Sequence, residues 1–598
     1  LAGELLIELE KLGVTFELTE EKLKYKDSQG NFSVDYKEKV KIYKNEIIEI
    51  LKKERRAEKF LANGKTGITE YPLTEVQAAY LIGKTEAVKW GGIGCKGYIE
   101  VNFGAHTIEE LSSAWELLVK RHEMLRAKVS ENGFEIVERE RIKYEIEVLD
   151  LRQVLKEDKE IALSKLRNKF NAYVFDTQNP PLFKVVITRQ AEGNFFHLLI
   201  DLIISDFASV QLLVSEMGKI LKGIPLKAVK TKFSNYALYN QQRKGSLKWY
   251  RDRAYWLKRL EELPEGPILP RDGRAASDCE DSHEFYRFQK HIDKMAWERI
   301  KEVAGEYGVT ISAVLIGVYA EVIARWCVDK YFTLNLPIQN RPSVVEDVNT
   351  IVGDFTTVNL LAVDITQNIS FVDRVKEITR QLMDDLEHNS FSGVEVLREL
   401  GKKNENKELL MPIVFTGVLQ SKNDVGTIEY GFSHTPQVWI DCQAVDESEV
   451  TDMTKGLMIS WDCRKGAVKK SIVTEMFDTF IETVKFLGTK EASDWKRRLD
   501  VVVPELNTKR VSCEQIKMVA ERPFIQQGFI EYARKNPGKV AVIDAFEKVT
   551  YGELLKRAKH IAGYLREKFG RSNEELIAIR MKKSAGQIAA VMGVLIAG

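Results

Sequence analysis

Two carboxylates stand at the exit of an apolar run. Phe195-Phe196-His197-Leu198-Leu199-Ile200 reads as a buried strand, and Asp201 and Asp206 follow it at a D-x-x-x-x-D spacing that Ser209 extends to D-x-x-x-x-D-x-x-S. Acids in that place are better explained by an active-site rim than by solvation, so the chain reads as an enzyme. The other residues able to do chemistry are less directive. His122 and His197 each stand alone on a helical or strand-like stretch and read as packed, satisfied side chains, whereas His434, beside Thr435-Pro436, is open to either reading. Cys95, Cys279, Cys327, Cys442, Cys463 and Cys513 form no C-x-x-C pair or Cys/His cluster, so neither a metal site nor a disulfide framework is expected. Gly91-Gly92-Ile93-Gly94 lacks the strand-then-helix context and the Lys-Ser/Thr ending of a phosphate loop, and is expected to be a flexible turn.

The elements that must position these residues belong to several domains, because 598 residues exceed a single ordinary core. With 89 Lys+Arg against 88 Asp+Glu the formal charge is +1, which argues against nucleic acid as a partner. No apolar run reaches bilayer length and the first residues carry no basic, apolar leader, so a soluble cytoplasmic protein with reduced thiols and no membrane partner is expected. The start at Leu1 and the stop inside an apolar segment at Gly598 read as a fragment of something longer.

Leu5, Leu6, Leu9 and Leu12 make a helical stripe closed by Gly13, followed by a hairpin over Val14–Leu18 and Lys22–Lys26. Lys22, Lys24 and Lys26 occupy one face of its second strand, and Val40, Tyr43, Ile47, Ile50 and Leu51 stripe a closing helix. Residues 1–55 thus form a small αββα unit, with a charged linker expected over 56–69. The pattern L-x-x-L-x-x-L-G-V, hairpin, then K-x-E-I-I-x-x-L resembles the N-terminal docking domains of the tubulysin-synthetase type. That resemblance implies that the tail of an upstream synthetase subunit docks beside Lys22, Lys24 and Lys26 by β-augmentation; a solvated edge protected by lysines is the alternative.

Thr74 and Gln77 form a T-x-x-Q capping box that starts a helix in Pro72-Leu73-Thr74-Glu75-Val76-Gln77. Arg121-His122-Glu123-Met124-Leu125-Arg126, the D-x-x-x-x-D stretch, Gln339-Asn340-Arg341-Pro342, Gly353-Asp354-Phe355-Thr356, Pro412-Ile413-Val414-Phe415-Thr416 and Thr435 to Gln443 (T-P-Q-V-W-I-D-C-Q) follow in order. These seven stretches resemble, in sequence, the core motifs of the heterocyclization domains of nonribosomal peptide synthetases, members of the condensation-domain superfamily. Ordinary condensation domains carry H-H-x-x-x-D-G at the third motif. Leu202 stands where their catalytic His would be and cannot move a proton, so a mechanism based on that His is excluded.

The resemblance implies an α/β fold of two chloramphenicol-acetyltransferase-like lobes, about 70–245 and 246–489 within a domain over 70–489. The active site would lie in a tunnel between them. It implies amide formation between a carrier-bound acyl donor and a carrier-bound Cys, Ser or Thr, with Cys favoured, and then cyclodehydration to a thiazoline or oxazoline. It assigns Asp441 as general acid/base, its pKa raised by partial burial near Trp439, with Thr416 as its orienting partner. A turn acid and an ordinary β-branched strand residue are the plainer alternatives for these two. By motif position, Asp201, Asn340 and Gln443 are candidate tunnel contacts, and Asp206, with Ser209, is structural, held through an arginine. No cofactor is expected on the chain itself; 4'-phosphopantetheine would arrive on upstream donor and downstream acceptor carrier proteins. A linker over 490–523 leads to 524–598, where Val549-Thr550-Tyr551-Gly552-Glu553-Leu554 resembles the start of an adenylation domain that stops before its nucleotide-binding residues and is not expected to adenylate. A noncatalytic interface or gatekeeping member of the superfamily is the alternative function.

Overall fold

In the computed structural model, which describes all residues except 20–21, 64–66, 87, 132, 138, 271–283, 343–346, 404–410, 421–425, 448–453, 503–524, 545–546, 570–576 and 598, the leucine stripe forms helix α1 (Ala2–Lys11). Leu5, Leu6 and Leu9 are buried on it, and Gly13 at φ 81° turns the chain into the antiparallel hairpin β1 (Val14–Thr19) and β2 (Lys22–Asp27). The closing helix is two helices, α2 (Val34–Ile42) and α3 (Lys44–Asn63). Much of the expected linker is therefore helical. Ala57 and Leu61 continue the stripe of Ile47 and Ile50 at helical spacing and are buried in the core of the next domain, which the dense charge of Lys52 to Lys59 concealed.

The chain divides into two units, Leu1–Pro504 and Glu505–Gly598. In the first, one lobe is built on a five-stranded sheet of order β14-β4-β9-β8-β7, in which β14 is Thr427–His434. Its elements are β3 (Glu70–Tyr71), α4 (Glu75–Gly83), β4 (Lys96–Asn102), α5 (Ile108–Arg121), β5 (Ala127–Ser130), β6 (Gly133–Ile136), β7 (Glu147–Asp150), α6 (Lys156–Asn171), β8 (Phe183–Gln190), β9 (Gly193–Asp201), α7 (Phe207–Leu221) and α8 (Phe233–Arg243). The capping box of α4 is present, with Gln77 N–H donating to Thr74 Oγ1 at 3.2 Å and Thr74 N–H to Gln77 Oε1 at 2.9 Å.

Helix α9 (Leu247–Arg259) leads to the other lobe. There a six-stranded sheet of order β10-β16-β15-β13-β11-β12 is made by β10 (Phe285–Ile292), β11 (Tyr331–Gln339), β12 (Thr356–Asp364), β13 (Ile413–Gln420), β15 (Ile440–Asp446) and β16 (Leu457–Arg464). Helices α10 (Lys294–Tyr307), α11 (Ile311–Trp326), α12 (Phe371–Glu387), α13 (Gly393–Lys403) and α14 (Lys470–Gly488) belong to the same half. Ala313 to Ala324 of α11 are buried without a break, which is why that helix reads as apolar all round. Among the described residues no single helix is long and apolar enough to cross a membrane.

The lobes are less separate than a cut near residue 245 implies. Strand β14 (Thr427–His434), from the second half of the chain, pairs with β4 at the edge of the first sheet. Val348, Ile351, Val352 and Phe355 join the first lobe's core. The first residues of the expected second linker are packed as well, since Trp495 and Leu499 are buried in the second lobe's core; residues 503–523 lie outside the described ones. The docking unit is also joined to its neighbour: Arg251 of α9 bonds Glu10 of α1, and Glu54 of α3 accepts from Arg243 at 3.0 Å and from Ser246 at 2.6 Å.

In the second unit, α15 (Gln527–Lys535), the antiparallel pair β17 (Val540–Ile543) and β18 (Lys548–Thr550), α16 (Tyr551–Phe569) and α17 (Ala585–Ala597) surround a small core of Val549, Leu554, Ala585 and Ala589.

Candidate active site

Asp441 lies on β15, inside the second sheet, buried between Ile440 and Cys442 along its strand and paired with Val414 on β13 and Asp462 on β16. Its carboxylate accepts from Thr416 Oγ1 at 2.6 Å on one oxygen and from Gln443 Nε2 at 2.7 Å on the other. Thr416 reaches it through a break in the β13–β15 ladder. Phe415 pairs with Cys442 and Val418 with Ala444, so Thr416 and Gly417 together oppose Gln443 alone. Gly417 takes φ 87° at this bulge, a conformation that favours glycine. Burial raises the Asp441 pKa to about 6; the Thr416 and Gln443 hydrogen bonds oppose that rise, the Asp462 carboxylate adds to it and Arg287 offsets it.

Two cavities meet at this cluster. One, of about 260 Å³, is walled by Val76, Ala79 and Tyr80 of α4 and by Asn335, Val414 and Asp441 from the second sheet. The other, of about 480 Å³, lies between β4, β9 and β14 on one side and Arg287, Gln289, Gln443 and Met458 on the other. Leu202, Phe207, Thr416 and Ser433 line both. The D-x-x-x-x-D turn therefore reaches the site through Leu202, which lines both cavities, and through Ser205 and Asp206, which line the smaller one. Gln77 Nε2 ties that turn to α4 by donating to Ile203 O at 2.8 Å.

The two acids of the turn have other partners. Asp201 is absent from both cavity walls: its carboxylate meets Lys84 Nζ at 2.5 Å and accepts from Ile203 N–H at 3.0 Å, while burial pushes its pKa up. The expectation that it contacts substrate in the tunnel is not met, because the strand ends with this side chain turned to the half-buried Lys84. Asp206 caps α7 through Ser209 N–H at 2.7 Å and receives the Arg341 guanidinium at 3.0 and 3.2 Å. Ser209 Oγ adds bonds to Arg341 and to both backbone groups of Gly353, so these residues join the two lobes.

Gln443 lines the larger cavity. Asn340 lies away from both, bonding Phe355 O through its backbone, and Trp439 packs edge-on against Trp90 at 5.6 Å rather than lining either wall. The burial of Asp441 thus comes from the surrounding sheet, not from a cavity wall formed by Trp439. His122 bonds Glu216 at 2.6 Å, and His197 lies between Tyr98 and Thr188 with burial lowering its pKa to about 4. His434 is stacked between Phe285 and Phe432 at 4.1 and 4.4 Å, and burial drives its pKa well down. None of the three histidines lines either cavity. The Gly91-Gly92 turn is held rather than loose, since the buried Arg464 guanidinium bonds the carbonyls of Trp90 and Gly91.

Sequence reasoning missed Asp462, Arg287, Ser433 and Asn335. Asp462 follows the largely apolar run Leu457-Met458-Ile459-Ser460-Trp461, a sequence signal like the one that singled out Asp201, although β16 continues past it to Arg464. Among the described residues no cluster of His, Cys, Asp and Glu could hold a metal ion.

Comparison with known proteins fits this architecture. Residues 68–485 match the condensation domain, 3–53 the TubC N-terminal docking domain and 529–598 the AMP-binding enzyme family. Pyochelin synthetase PchF of Pseudomonas aeruginosa (strain UCBPP-PA14) is 32% identical over 96% of this chain and 31% of its own length. Phenyloxazoline synthase MbtB of Mycobacterium sp. (strain MCS) is 26% identical over 88% of this chain and 45% of its own. The chain therefore spans under half the length of these curated relatives. The EpoB cyclization-docking bidomain from Sorangium cellulosum superposes with a TM-score of 0.63, at 27% identity, over 83% of this chain and 100% of the bidomain. Carried by a match over more than half of its length, the chain belongs to the condensation-domain family.

Proposed function

We propose that the domain over 70–489 is a heterocyclization catalyst of a nonribosomal peptide synthetase. The observation that carries this reading is the Thr416–Asp441–Gln443 cluster where two cavities meet, beside a leucine at the place of the condensation histidine. Each cavity would take the phosphopantetheine arm of one carrier protein, donor and acceptor. Holding two thioesters end to end supplies proximity for the first step. The amine of a carrier-bound Cys attacks the donor thioester carbonyl; a C–N bond forms, the C–S bond breaks, and the upstream carrier leaves as a free thiol. The cysteine thiol then adds to the new amide carbonyl, and the adduct loses its hydroxyl and the proton on nitrogen as one water to give a thiazoline.

Asp441 suits the second half of that sequence. As carboxylate it takes the thiol proton while sulfur adds to the carbonyl, and as the acid so formed it gives that proton to the carbonyl oxygen, making the hydroxyl of the adduct; as carboxylate again it takes the proton from nitrogen and passes it to the hydroxyl, which leaves as water. A group titrating near 6 is able to do both. Thr416 and Gln443 hold one carboxylate oxygen each, which keeps the group aimed. The exposed Lys22, Lys24 and Lys26 on β2 suit an acidic tail from an upstream subunit.

The test is to mix a loaded donor carrier, a cysteinyl carrier and this protein, and to follow the carrier-bound product by intact mass. A product lighter than the linear amide by one water is expected. Accumulation of the linear amide would reduce the domain to a condensation catalyst, and absence of any product would favour a noncatalytic interface.

A further inference from the structure

Strand register places a row of charge across the second sheet that the proposed chemistry has not used. Asp441 on β15 is directly opposite Asp462 on β16, and Asp462 is directly opposite Arg287 on β10. Two acids facing each other across a ladder repel, so the pair survives burial only because something separates their roles. Three groups do so. Arg287 Nη1 reaches Asp462 Oδ2 at 2.6 Å while its other amino group bonds Ser460 Oγ at 2.7 Å. Ser433 N–H, from the crossing strand β14, donates to the same Asp462 oxygen at 2.9 Å. Gln443 Nε2 sits between the acids, 2.7 Å from Asp441 Oδ2 and 3.1 Å from Asp462 Oδ2. The cation is thus spent on Asp462, one strand beyond the acid that faces the substrate.

We propose that Asp462 and Arg287, acting through Gln443, are positioning residues that hold Asp441 in the orientation and charge state ring closure needs. The inference rests on the heterocyclization reading. With both hydrogens of one amide drawn toward the two carboxylates, the Gln443 side chain cannot rotate without breaking two bonds, so its orientation is set by Asp462. Asp462 in turn keeps a negative charge near Asp441 and makes the protonated state of Asp441 accessible; Arg287 limits that influence. The other groups near Asp441 are Thr416 on β13, Tyr319 on α11, and the buried thiols Cys442 and Cys463 of β15 and β16. Burial pushes the phenol and both thiols well above their ordinary values, so none of the three ionises in the range where Asp441 does.

The sign of each substitution follows. Because closure begins with the carboxylate, its rate rises with pH through the Asp441 ionisation. Asp462→Asn removes a like charge, so the rise moves to lower pH; Arg287→Gln removes the compensating cation, so it moves to higher pH. A displacement of about one unit either way is expected for a charge removed at this range, or about tenfold in relative rate on the acid limb. Arg287→Lys keeps the charge and leaves the limb near its original place.

The experiment measures dehydrated product against linear amide by intact mass from pH 5 to 8 for the wild-type protein and the three variants, with thermal unfolding of each as a check on folding. Opposite displacements for Asp462→Asn and Arg287→Gln, with Arg287→Lys near wild type, support the proposal. Displacements of the same sign, or unchanged limbs in folded variants that still close the ring, overturn it. If the wild-type protein itself makes only linear amide, it is the heterocyclization reading that fails.

Discussion

At the scale of single residues, the interest of Asp441 is that the position is expensive. Its pKa lies near 6 against an ordinary 3.8, so ionising it in place is opposed by burial. For an acid whose native pKa is raised, that penalty is absent below the unfolded value and grows as pH rises through the native one. At pH 8 the shift corresponds to roughly 3 kcal/mol of lost stability, by the conversion of about 1.4 kcal/mol per unit. Asp441→Asn, which imitates the neutral acid, is therefore expected to unfold at a higher temperature than the wild-type protein at pH 8 and to lose that advantage near pH 4. Its ring closure should fall by about 100-fold or more while amide formation falls less. A variant that is less stable at pH 8, or loses both reactions equally, would contradict the assignment. The candidate site was partly legible at this scale. Asp441, Thr416 and Gln443 could be named from one short motif and its neighbour, but Arg287 and Asp462 are 175 positions apart and meet only through antiparallel register, which leaves no local mark.

At the scale of elements, the bulge in β13 decides whether the hydroxyl reaches the acid. In an unbroken ladder Gly417 would pair within the strand and Thr416 would face its regular neighbour; the two-against-one count at Gln443 is what aims Thr416 Oγ1 at Asp441. Nothing lies within 4 Å of a Cβ added at Gly417, so Gly417→Ala meets no clash and tests backbone conformation alone. The left-handed φ costs a side chain about 1 to 2 kcal/mol. We expect a lower denaturation midpoint by about that amount and a selective loss of ring closure as the bulge relaxes. Unchanged closure would show that Thr416 needs no bulge to reach Asp441. Helices and strands were readable where periodicity is local, as in α1 and the hairpin. They were misread where a charged face hid a buried stripe, as in α3, and β14 could not be placed at all, since an edge strand's partner is chosen by tertiary packing rather than by its own residues.

At the scale of the whole first unit, the cavities exist because two lobes are held at one spacing. Arg341 is the tie: its guanidinium is divided among both oxygens of Asp206, Ser209 Oγ, and the carbonyls of Val348 and Ile351, and it lies 4.1 Å over the Phe355 ring. A lysine cannot reproduce that set, because an ammonium is a point donor and the bonds here need a planar fork. Removing the guanidinium leaves Asp206 buried without a partner charge, which costs about 3 to 5 kcal/mol. Arg341→Ala should therefore lower the denaturation midpoint strongly, Arg341→Lys should recover little of it, and both should depress amide formation and ring closure together. That common loss would separate a residue that keeps the tunnel open from Asp441, whose proposed role predicts an unequal loss of the two steps. If Arg341→Lys restored stability while ring closure alone stayed low, the tie would have to be moved from the frame of the molecule to its chemistry.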